Sequence, residues 1–203
     1  AELDDMDMLY LAELALSKSD FTAPGLQVCL SKPEYALDAA LRYMQAGQYR
    51  DAIALLEWQR ANSAAPFAPL TYALGWAYGR AGNAAEQQRV YLDASQQDTH
   101  GVLHSRPESL LILADAVDAS VTDAAAPYYL GNMLYAAGQF ERAAELFELS
   151  ISRGAKFPTV YRNLAFACFD KRRDAASHKR AGELIARAFR MDRHDACVFY
   201  ELC

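Results

Sequence analysis

Apolar residues recur at helical spacing along most of the chain, and no stretch alternates apolar and polar positions long enough to read as a strand. The pattern therefore predicts an all-α protein. Its amphipathic segments come in pairs, at about 33–46 with 48–61, 68–81 with 84–97, 126–137 with 139–153, and 158–171 with 176–191. Single helices are expected at about 3–17, before the loop 20–25, and at about 107–119, with Asp115 and Asp118 on its wet side. A further helix begins at Ala196. Five of the seven prolines, at 33, 69, 107, 127 and 158, stand at or near these predicted starts, where a missing N–H costs least.

The pairs are related by register. Leu130-Gly131 recurs 34 residues later as Leu164-Ala165 and is preceded by Leu74-Gly75. Three versions of one turn follow the first helices: Ala46-Gly47-Gln48-Tyr49, Ala81-Gly82-Asn83-Ala84 and Ala137-Gly138-Gln139-Phe140. Gly138 suits a left-handed helix end. Gly131 and Ala143 are expected where two helices touch, with Leu130, Leu134, Phe140 and Phe147 filling the wedge between them. Two departures interrupt the register. Leu74 and Leu130 lie 56 residues apart, one repeat plus 22, and the last hairpin has about four extra residues in its turn, 171–180, before Ala181, Ala188 and Phe189 restore the pattern.

This helix–turn–helix unit resembles the tetratricopeptide repeat. The resemblance implies an α-α superhelix with one inserted helix, and a single repeat domain over 1–203, less regular at 1–32 and 98–124. The segments 126–135, APYYLGNMLY, 157–165, FPTVYRNLA, and 195–202, DACVFYEL, are also similar to the helical region of large bacterial proteins. The front half of those proteins is β-rich, of unknown function, and resembles carbohydrate-active β-sandwiches. Residues 107–203 match closely and 1–106 more loosely, although Leu70-Thr71-Tyr72-Ala73-Leu74-Gly75-Trp76 still fits. An aromatic-proline-asparagine-arginine motif often precedes the extra helix in that group; Leu103-His104-Ser105-Arg106-Pro107 departs from it. The resemblance implies a bacterial source and a sugar-related context.

Composition narrows the classes. With 53% hydrophobic and 23% charged residues the 203-residue chain is no disordered tail. Its apolar runs, such as 110–114, which ends at Asp115, fall well short of the roughly 18 residues that a membrane span needs. A net charge of −6 argues against nucleic acid as a partner. Cys29, Cys168, Cys197 and Cys203 form no CxxC pair and no zinc spacing, so reduced, mostly buried thiols and a cytoplasmic location are expected. The first residues lack a secretory signal, and both ends read as cuts in a longer chain.

No GxSxG, phosphate-loop, HExxH or dinucleotide motif occurs, so neither catalysis nor a cofactor is expected. His100 and His104 are four apart, but they fall beside Gly101 in a loop without a carboxylate at helical spacing, and read as solvated histidines rather than metal ligands. His178 and His194 lie among lysines and arginines and suggest no reaction. Between 171 and 193 stand eight Lys or Arg and three Asp or Glu, a cluster best explained by solvation of a lengthened turn.

The better candidate is the face that first helices present to an inner groove in such a stack. In the tetratricopeptide register this face carries Tyr72, Trp76, Gly79 and Arg80, then Tyr128, Asn132, Tyr135 and Ala136, then Arg162, Phe166, Phe169 and Asp170, with Asn163 beside them. Aromatic rings supply contact area, and asparagine amides bond both donors and acceptors of a peptide backbone. The same aromatics could instead pack between neighbouring repeats. Asn132 and Asn163 match the two asparagines with which some repeats clamp a peptide's terminal carboxylate. The cations of that clamp are replaced here by Tyr128, Cys197 and Glu201, and Glu201 would repel the carboxylate.

The reading is a non-catalytic scaffold. It holds a protein or peptide segment, or another domain of the same polypeptide, through Tyr72, Trp76, Arg80, Tyr128, Asn132, Tyr135, Arg162, Asn163 and Phe166. The alternative is an accessory helical domain that packs against a β-rich carbohydrate-active half.

Overall fold

The computed structural model describes residues 32–171 and 174–192. Every element among them is a helix: α1 Pro33–Gln45, α2 Tyr49–Asn62, α3 Ala68–Arg80, α4 Ala84–Ser95, α5 Glu108–Ala119, α6 Ala125–Ala136, α7 Phe140–Ser152, α8 Pro158–Lys171 and α9 Ala175–Met191. The all-α reading holds, and the predicted hairpins fall where spacing placed them. The helices expected at 3–17 and from Ala196 lie outside the described residues.

Local chemistry sets these boundaries. Pro33 and Pro69 occupy the first turns of α1 and α3. The Asn83 side chain accepts the Glu86 N–H at the start of α4, and Asp174 accepts the Ser177 N–H at the start of α9. Gly47, Gly82 and Gly138 take positive φ of 76°, 83° and 74° between paired helices, which a side chain would resist.

The residues gather into two compact units, Ala1–Val102 and Leu103–Cys203. Their boundary falls inside the stretch 98–124, the irregular part of what the sequence presents as one domain. Within the first unit α1 pairs with α2 and α3 with α4, while α3 also packs on both α1 and α2. Within the second, α5 packs on α6, the pairs α6–α7 and α8–α9 stack through α7 against α8, and α6 touches α8. Contact between successive first helices is what a stack of helical hairpins requires.

One close helix contact, a glycine against a ring, is built the same way in both units. A Cβ added at Gly75 would lie 2.5 Å from the Tyr91 ring, and one at Gly131 would lie 2.6 Å from the Phe147 ring. In each case the ring stands 16 residues after the glycine. Phe147, expected in the wedge beside these helices, is thus the ring that fills the width opened by Gly131. Ala143 is itself fully buried.

The inserted helix α5 is tied to α6 and α7 by polar anchors. Buried Asp123 accepts the Ala125 and Ala126 N–H groups at 2.8 and 3.0 Å and so caps α6. From α7, Arg153 donates to the Val117 and Asp123 carbonyls at 3.0 and 3.2 Å, and Ser150 donates to the Ala124 carbonyl at 2.6 Å. These bonds satisfy backbone groups that the irregular connection would leave bare.

Candidate functional site

In the first unit, the first-helix register brings Trp76 and Arg80 to one surface, while Tyr72 is covered. Tyr72 is fully buried, its ring centroid 6.0 Å from that of Tyr91, so it belongs to the core. This corrects the sequence expectation: an aromatic at that register position packs between helices here. Half-buried Trp76 meets Tyr49 edge-on, with ring centroids 5.9 Å apart. The exposed Arg80 guanidinium lies 5.8 Å from the centroid of each ring. Tyr49 opens α2 directly after the Gly47 turn, and sequence reasoning did not place it in the site. A signal existed, because Phe140 stands equally far after Gly138 and lies 5.2 Å from Tyr135.

The second unit brings together the remaining candidates on α6 and α8, with one exception. Tyr128 is 6% exposed, with its ring centroid 4.8 Å from Phe157 and 5.4 Å from Tyr129. It too is core, and its assignment to an open face is corrected for the same reason. Asn132 and Asn163 are half-buried, and Asn163 Nδ2 donates to Asn132 Oδ1 at 2.8 Å. Tyr135 donates its hydroxyl to Asp170 at 2.6 Å, and burial followed by this bond pushes its pKa up to about 12. Arg162 lies 5.3 Å from the Phe166 ring centroid one turn further along α8. The amide pair, the phenol–carboxylate pair and the Arg–Phe contact thus share two adjacent first helices.

The amide pair retains free valence. Asn132 keeps both Nδ2 hydrogens, and Asn163 keeps its Oδ1 acceptor. Together they offer a donor and an acceptor side by side, the complement of one peptide group in an extended chain.

Other features play different parts. His104 is no solvated loop histidine: it is 9% exposed and its ring centroid lies 4.5 Å from that of Tyr129. Burial, and then the charge of Arg106, push its pKa down to about 3. Within the basic stretch Arg180 pairs with Glu148, and Arg187 lies 4.4 Å from the Tyr161 ring centroid. A cleft of about 580 Å³ in the first unit is lined by Gln59, Arg60, Phe67, Leu70, Thr71 and Gln97 among others, and none of the sequence candidates borders it. Arg60 and Asp93 of its lining pair at 2.7 Å. Among the described residues no group of His, Cys, Asp and Glu could hold a metal ion, and no helix is long and apolar enough to cross a membrane.

No known family profile matches this chain, and no curated protein matches it. Solved structures do. YrrB, a TPR protein with an unusual peptide-binding site, is 16% identical at TM-score 0.45, with 98% of this chain and 91% of that one covered. MamA is 20% identical at TM-score 0.42, over 97% of this chain and 99% of that one. TTC0263, a thermophilic TPR protein of Thermus thermophilus, is 14% identical at TM-score 0.42, over 84% of this chain and 97% of that one. The helical fold of this chain rests on its own hairpins, glycine turns and buried rings.

Proposed function

We propose that this chain is a non-catalytic interaction scaffold whose first-helix faces hold an extended peptide segment, from another protein or from another part of the same polypeptide. The observation that carries the reading is the Asn163–Asn132 bond, which lies across two successive first helices and leaves a donor and an acceptor uncommitted. Arg162 with Phe166 and Tyr135 with Asp170 flank it, giving contact area and charge beside the amides. A scaffold of this kind works in the cytoplasm, where buried Cys168 stays a thiol.

The test uses a display library of random peptides sorted on the whole chain. Peptides that bind should lose about tenfold in affinity or more against the Asn132→Ala/Asn163→Ala double variant, because each bond to a desolvated partner is worth about 1 kcal/mol. Its melting temperature should stay near that of the parent. Binding that survives the double substitution would refute the assignment.

A further inference from the structure

Arg80 meets two rings, where Arg162 beside the amide row meets one. Exposed Arg80 closes α3, and the rings of Tyr49 and Trp76 both lie 5.8 Å from its guanidinium. At this distance, near the outer reach of a cation–π contact, the rings attract the charge and leave the forked N–H donors unspent. The rings also limit the rotamers of a long side chain, so less freedom is lost when a partner is met. Other described cations are used differently: Arg60 pairs with Asp93, Arg89 with Glu86 and Arg180 with Glu148. Arg80 makes no ion pair with any of the described residues. An exposed arginine beside two rings, with its forked donors free, suits a planar anion.

We propose that Tyr49, Trp76 and Arg80 form an anchor for a peptide carboxylate, with Arg80 as the bidentate donor and the two rings beside it as apolar contacts for the methylenes next to the acid. This deepens the peptide-scaffold reading and rests on it, but it concerns the first unit alone. The carboxylate could come from an Asp or Glu side chain or from a chain end. In water-exposed geometry the fork outperforms a point charge, so lysine is a poor substitute.

The experiment sorts the same peptide library on the parent chain, on Arg80→Gln, on Arg80→Lys and on Arg50→Gln. The last removes one charge next to Tyr49 in sequence without touching the Arg80 guanidinium. Expected is enrichment of an acidic position or of free C-termini on the parent and on Arg50→Gln, and loss of that enrichment on both Arg80 variants. The selected peptide is then synthesised with its acid changed to the amide and, separately, with its C-terminus amidated. Whichever change weakens binding about tenfold, as a charged hydrogen bond predicts, identifies the source of the carboxylate. Equal loss on Arg50→Gln would reduce the effect to net charge and overturn the anchor, as would selected peptides without an acid. Peptides that depend on Asn132 and Asn163 but not on Arg80 would overturn the anchor and leave the scaffold standing. Failure to select any peptide would count against both.

Discussion

The two units of this chain solve the packing problem alike and the surface problem differently. Gly75 against Tyr91 in the first unit repeats Gly131 against Phe147 in the second, each with a ring 16 residues after its glycine. Where the first unit sets Trp76 in its register position, the second sets Asn132. One surface is cationic and aromatic, through Arg80, Trp76 and Tyr49. The other joins one arginine–ring contact, Arg162 with Phe166, to an amide pair, Asn132 with Asn163, and a phenol–carboxylate pair, Tyr135 with Asp170. The repeat thus fixes what must fit between helices and leaves the first-helix face free to vary, and partner chemistry is written on that face.

The comparison breaks most visibly at the glycines. Gly75→Leu and Gly131→Leu should each destabilise by about 3 kcal/mol, because no side chain fits against the opposing ring. Thermal melts should show similar losses for both. A large loss for one and a negligible loss for the other would mean that the two contacts are not equivalent.

A smaller effect sharpens the difference between the units. Asp123→Ala should cost about 1–2 kcal/mol, since the carboxylate caps two N–H groups of α6 and the described part of the first unit has no inserted helix to tie down. Denaturant melts of Asp123→Asn, which keeps an acceptor, should recover part of that loss. Full recovery by Asp123→Leu would show that burial rather than capping matters.

Acid should act through the second unit. The folded-state pKa of His104 is about 3, below its ordinary value of 6.5, so the unfolded chain binds the extra proton between those limits. Stability contributed by neutral His104 is therefore full above pH 6.5 and falls as pH drops towards 3. Melting temperatures across this range should flatten in His104→Phe relative to the parent; an unchanged slope would place the acid sensitivity elsewhere.

Alkali should act on both units about equally, and least. Tyr78, which donates to Glu57 at 3.0 Å, and Tyr135, which donates to Asp170, are each raised to about 12. Because both folded values lie above the ordinary 10.0, their stabilisation is present below pH 10 and fades as pH rises towards 12. Tyrosinate absorbance should contain two late-titrating groups, one removed by Tyr78→Phe and the other by Tyr135→Phe. Early titration of either would show that its bond to the carboxylate does not form.

Much of the fold was legible because helices announce themselves through local signals. Gly47, Gly82 and Gly138 mark the turns, prolines mark the starts, and the Leu-Gly register places both tight contacts. The site was legible only in part. Register position says which way a side chain leaves its own helix, not what covers it from the next. Tyr72 and Tyr128 point as expected but are roofed by Tyr91 and Phe157, and so became core. Tyr49 was missed for the converse reason: it comes from the preceding hairpin and meets Trp76 only when the hairpins stack. His104 reads as a polar loop residue until Tyr129 packs on it. Each error concerns contact across elements, which spacing along one chain does not encode.

Binding is assigned to part-exposed first-helix side chains and stability to the glycine–ring contacts. Titration calorimetry with one library-selected peptide, run beside a thermal melt of each variant, tests it directly. The expected result is an affinity loss of about tenfold or more for Asn132→Ala/Asn163→Ala at a melting temperature close to the parent's. Unchanged affinity in that variant, or a loss that appears only together with a lowered melting temperature, would contradict it.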